Sequence, residues 1–120
     1  MAVSFTIPIP PSVNGLWANV GRRRIKTKRY KAWLTEAGWA IVTQRVRPIA
    51  ATSGCSVVVE IGPRDPRADI DNRIKAVLDL LVRQGIIPDD RHVNSATARW
   101  DNTLTGCRVI LEEIPDWSVR

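Results

Sequence analysis

The chain has one histidine among its 120 residues, and that scarcity removes more chemistry than any other feature. A Ser-His-Asp triad would have to be built on His92, yet no GxSxG-like elbow is present to supply the nucleophile. His92 is therefore expected to be a structural residue. There is also no GxxxxGK[ST] or GxGxxG loop to cradle phosphates, so no nucleotide cofactor is expected. Two cysteines, Cys55 and Cys107, lie far apart and outside any CxxC pair, which excludes a thiolate zinc cluster. They are expected to be buried, reduced thiols. No run approaches the ~18 apolar residues needed to span a bilayer, and the N-terminus MAVSFTIPIPPS has prolines where a signal peptide needs an apolar stretch. The expectation is a cytoplasmic protein without membrane contact, folded as one domain over residues 1–120.

What is present is positive charge. Eighteen Lys and Arg stand against twelve Asp and Glu, a net charge of +6. Much of the excess lies in one run, GRRRIKTKRYK, holding Arg22, Arg23, Arg24, Lys26, Lys28, Arg29 and Lys31. A run of this density suits a polyanionic partner, because each neutralised phosphate releases condensed counterions. It also suits a solvated arm. Trp17, beside the run, is a candidate for base stacking. Trp33, Trp39, Trp100 and Trp117 read as core.

Alternation and turn residues predict strands over 3–9, 55–61, 93–101 and 106–113. Helical spacing predicts a helix over 27–46, with Tyr30, Trp33, Leu34, Ala37 and Ile41 on its buried face and Pro48 as its stop. A second helix follows from Ile74, Val77, Leu78 and Leu81 and runs to about Gln84, capped by Gly85. The segment PPSVNGLW and the basic run read as loop. The order β-α-β-α-β-β defines a mixed α/β, α+β-type domain, a mixed sheet with two helices.

The second helix starts unusually, with RADIDNRIK. Asp69 and Asp71 are two apart, so an extended chain points both the same way. Asp90, in the turn IIPDD, is expected to return to the same end of the sheet. Three such carboxylates form a hard anionic site suited to Mg²⁺, with Lys75 one turn beyond Asp71 to meet charge growing on a phosphate. The plainer alternative is helix capping by Asp and an Asp71–Lys75 ion pair. Asp79, on the same stripe, reads as a solvated acid.

PPSVN, then DIDNRIK, then GIIPDD in that order resemble the RusA family of Holliday junction resolvases, over roughly Phe5 to Glu113. The resemblance implies a small, often prophage-encoded endonuclease of recombination and repair. It implies a homodimer that nicks four-way junction DNA symmetrically using Mg²⁺. Residue by residue, it implies Asp69, Asp71 and Asp90 as catalytic metal-binding acids, with Asp89 the alternative third ligand, and Lys75 as the catalytic lysine. Asn14 belongs to its PPSVN element. Asn14 and the basic residues Arg22, Arg23, Arg24, Lys26, Lys28 and Arg29 are the expected DNA contacts. The rival reading is a basic, non-catalytic phage DNA-binding protein whose acids only cap a helix.

Overall fold

The computed structural model describes residues 2–11, 17–20, 23–68 and 70–117; for 17–20, 23–25, 71 and 72 it describes the backbone. Its elements are β1 (Ala2–Ile7), β2 (Trp17–Val20), β3 (Arg23–Lys26), α1 (Lys28–Thr43), β4 (Gly54–Gly62), α2 (Asp71–Arg83), a 3-10 turn (Asp90–His92), β5 (Val93–Trp100) and β6 (Gly106–Ile114). Four strands form one sheet in the order β1-β6-β4-β5. β6 is antiparallel to both β1 and β4, while β5 runs parallel to β4 and needs α2 as its crossover.

One face of this sheet holds the core. Cys55, Val57, Val59 and Ile61 of β4 alternate inward, as do Cys107, Val109 and Leu111 of β6 and Phe5 and Ile7 of β1. α1 and α2 cover them with Tyr30, Trp33, Leu34, Ala37 and Ile41, and with Ala76, Val77, Leu80 and Leu81. Each large apolar side chain so buried contributes roughly 1.5–3 kcal/mol. Both cysteines are buried and free, and burial pushes the Cys107 thiol up to about 12. On the opposite face Glu60 is only 5% exposed, because Arg99 and Arg108 each bond one of its oxygens at 2.7 Å. Those bonds, from Arg108 first, hold its carboxyl below the usual range.

The two helices end alike. After α2, Gly85 takes φ 71°, its N–H bonds Val82 O, and Ile86 N–H bonds Leu81 O. This is the glycine cap expected at that position. After α1 the same pair of bonds runs from Arg45 to Val42 and from Val46 to Ile41, but the left-handed residue is Arg45, at φ 56°. Pro48 is thus not the stop; the helix ends before it. Arg45 is exposed, so Arg45→Gly removes the steric cost of the left-handed form and loses no buried contact. The variant is expected to gain about 0.5–1 kcal/mol net of the unfolded-state entropy of glycine, read from urea midpoints.

Two expectations need correction. The region after the prolines and the basic run is not simply loop: Trp17–Val20 pairs antiparallel with Arg23–Lys26 in a separate two-stranded sheet. Gly21 and Arg22, which stand between the two strands in sequence, lie outside the described residues. The density of charge had masked the β-forming Val20 and Ile25. Nor is Trp39 core; it is 66% exposed on α1.

Candidate active site

Three prolines, Pro8, Pro10 and Pro11, deprive the exit of β1 of N–H groups, and side chains from both helices take up free carbonyls there. Trp33 Nε1 of α1 donates to Pro8 O at 3.0 Å, and Arg73 Nη1 of α2 donates to Pro10 O. Pro10 is fully buried. The start of α2 is thereby fixed against the segment that leads to Asn14 and the hairpin. Tyr30 fastens α2 one turn past Lys75: its buried hydroxyl donates to Asp79. Asp79 is therefore a fixed interhelical acceptor, which corrects its reading as a solvated acid. Burial first, then the Asp79 bond, push the Tyr30 phenol well above its ordinary value. The Tyr30 ring stacks on Trp33, with centroids 6.2 Å apart, and lies 5.9 Å beneath the Lys26 ammonium at the end of β3.

The N-cap position of α2 falls on Ile70, which offers no side-chain acceptor, and Asp71 is the first helical residue. A capping aspartate at N-cap is thus not what starts this helix. An acid in the first turn still suits the helix dipole. Lys75 is exposed. Asp69 lies outside the described residues, as do Asn14 and Arg22, and the side chains of Asp71, Arg23 and Arg24 are likewise not described. Lys28 and Arg29 are exposed at the first turn of α1, whose N-cap Thr27 accepts from Tyr30 N–H at 3.1 Å. Among the described residues no three acids, histidines or cysteines converge on a point.

Asp90 lies elsewhere. β5 runs parallel to β4 with Val93 beside Cys55, and His92 Nδ1 sits 2.9 Å from Ser53 O. The turn holding Asp90 is therefore at the N-terminal end of β4. The start of α2 is at the other end: Arg73 meets Pro10, just past Ile7, which pairs with Cys107, itself paired with Ile61. Position 90 and position 71 are separated by about the length of α2, roughly 20 Å for 13 residues. The expected return of Asp90 to the same end of the sheet does not occur within one chain. The parallel crossover is the reason, since a helix linking parallel strands begins at one end of the sheet and finishes at the other.

Asp89 and Asp90 differ in what occupies them. Asp89 caps the 3-10 turn, accepting from Arg91 N–H at 3.0 Å, and that bond first holds its carboxyl low. Asp90 is exposed, and its carboxyl is pushed up first by sharing a hydrogen bond with Asp89, then by the Asp89 charge. Asp90, exposed beside the capping Asp89, presents hard oxygen donors of the kind a divalent cation takes.

The described backbone thus places a two-stranded segment of basic sequence beside a sheet-and-helix body, with acids at both ends of α2. The chain matches the family model for Endodeoxyribonuclease RusA over residues 8–112. It belongs to that family of Holliday-junction-resolving endonucleases, and the enzyme class is endodeoxyribonuclease. A search of curated proteins finds no match. No helix among the described residues is long and apolar enough to cross a membrane.

Proposed function

We propose that the protein is a Mg²⁺-dependent, cytoplasmic homodimer, one domain per chain, that resolves four-way DNA junctions by paired symmetric nicks in recombination and repair. The observation that carries this reading is the family match across both acidic elements, residues 69–71 and 89–90. Because position 90 is a helix length from position 71, we place the partner subunit's Asp90 beside Asp69 and Asp71. A two-fold dimer then has two complete sites, one for each strand to be nicked. Asp89, taken by its cap, is not the third ligand.

Asp69, Asp71 and the partner's Asp90 would hold Mg²⁺, which supplies an activated water and neutralises phosphate charge. Lys75 presents an ammonium, one turn beyond Asp71, to the phosphate oxygens. Arg73 and Tyr30 keep α2 in register with the body, so these groups meet the phosphodiester in a fixed geometry. Asn14 and the basic run hold the junction arms.

The test is nicking of a synthetic four-way junction with and without Mg²⁺. Symmetric nicks that need the metal support the reading; binding without nicks under any metal leaves the non-catalytic DNA-binding protein instead. In the same system, replacing Arg22, Arg24 and Lys28 by Ala is expected to flatten the plot of log affinity against log salt by roughly 2 to 3 units. An unchanged slope would remove the basic run from the DNA interface.

A further inference from the structure

The two most exposed large apolar side chains among the described residues stand together. Trp39 is 66% exposed and Val42 58%, one turn apart on α1. Residues at that spacing are neighbours on a helix surface, so they form a patch and are not scattered singly. Beside the patch, α1 and α2 leave a groove of about 310 Å³. Leu34 and Gly38, both buried, form its floor, with Trp39 and Val42 on one side and Arg83 and Gln84 on the other. Gly38 lets the helices close up here, because a Cβ at that position would collide with the Gln84 amide.

The rim of this groove is cationic. Arg83 is exposed and forms no ion pair among the described residues. Lys31, exposed and likewise without an ion pair among them, lies two turns before Gly38 on the same stripe of α1. Arg45, whose N–H bonds Val42 O, stands exposed at the far end. The nearby acids do not answer these charges. Asp79, one turn before Arg83, is taken by the Tyr30 hydroxyl, and helical spacing puts Glu36 on the far side of Trp39.

We propose that the groove between α1 and α2 docks an acidic segment of another protein, with a large apolar side chain against Trp39 and Leu34 and a carboxylate on Arg83. Tryptophan and arginine are the side chains that most often dominate such contacts, and here they flank one apolar hollow. A second copy of this chain is a poor occupant, since a two-fold contact would set Arg83 and Lys31 of each copy against the same cations of the other. DNA phosphates would meet the cations but leave the hollow empty. Docking here leaves the start of α2, a helix length away, open. The proposal does not rest on the nuclease reading.

The test is fluorescence anisotropy with a panel of short labelled peptides in which Asp and Glu flank one Trp, Phe or Leu. Control peptides carry Lys for the acids, or Ser for the apolar residue. An acidic apolar peptide is expected to bind about tenfold or more tighter than both of its controls. Trp39→Ala is expected to weaken it about tenfold or more. Arg83→Glu is expected to shift the preference about tenfold or more toward the Lys peptides, because the charge at the rim is reversed. Both residues are exposed, so both variants should keep the wild-type circular dichroism. A panel without charge preference, or binding that survives Trp39→Ala, overturns the proposal. So does a Trp39→Ala protein with altered sedimentation, which assigns the patch to a second copy, or with weakened junction binding, which assigns it to DNA. Nicking and metal play no part in these readouts, so failure here leaves the nuclease reading in place, and a protein that docks the peptide and nicks nothing overturns that reading alone.

Discussion

Mixed in equal amounts, the Asp71→Asn and Asp90→Asn proteins are expected to regain Mg²⁺-dependent nicking that neither shows by itself. Each homodimer carries a defect in both of its sites. In the mixed dimer one site collects both substitutions, while the other combines an intact Asp71 with an intact Asp90 from the partner subunit. Random assortment of a two-fold dimer makes half of the dimers mixed, each with one good site, so about a quarter of the wild-type sites return. The product is a nick in one strand, without paired resolution. Sites confined to single chains predict no recovery at all, because every chain in the mixture then lacks one acid. Junction affinity should hold level or rise in each parent variant, since removing a carboxylate beside phosphates removes repulsion. The measurement is strand-specific nicking of a labelled junction after subunit exchange, and a dead mixture would return the third ligand to an acid other than Asp90.

Lys75→Ala is expected to slow single-turnover cleavage of a saturated junction by a factor of about 10² to 10³. The lysine is exposed on α2, so its loss should cost less than about 1 kcal/mol of stability. An ammonium that meets charge growing in the transition state acts on the rate far more than on binding. Lys75→Arg should restore little, because a planar fork does not reproduce a compact point charge at one oxygen. Cleavage by Lys75→Ala within threefold of wild type would leave this residue a surface cation.

Periodicity made the body of the fold legible. The buried face of α1 follows from the spacing of Tyr30 to Ile41, and in α2 Val77 and Leu81 are buried as their spacing predicts, while Ile74 and Leu78 are half-buried and Ala76 and Leu80 complete the buried face. The inward alternation of β4 and β6 is likewise visible in the sequence. Tertiary partners were not. Asp79 is indistinguishable in sequence from any acid on a helix surface; only the fold sets Tyr30 against it. The end of α1 was misplaced because arginine rarely takes a left-handed turn, so Pro48 carried the stronger signal. For the candidate site, residue types and spacing announced the acids and the lysine, but not where Asp90 would lie. That depends on the direction of β5 beside β4, a non-local choice absent from any short window.

The hairpin is inserted between two fixed points. Before it, Pro8 and Pro10 are held by Trp33 and Arg73; after it, Thr27 caps α1. Whatever the fifteen residues 12–26 contain, the body begins and ends them at the same places. Lengthening a segment with anchored ends is cheap, since doubling its length adds only about 0.6 kcal/mol of closure cost. On the proposed reading, the surface that meets DNA can therefore be rewritten in length and charge without moving α2, which would make substrate preference an interchangeable part.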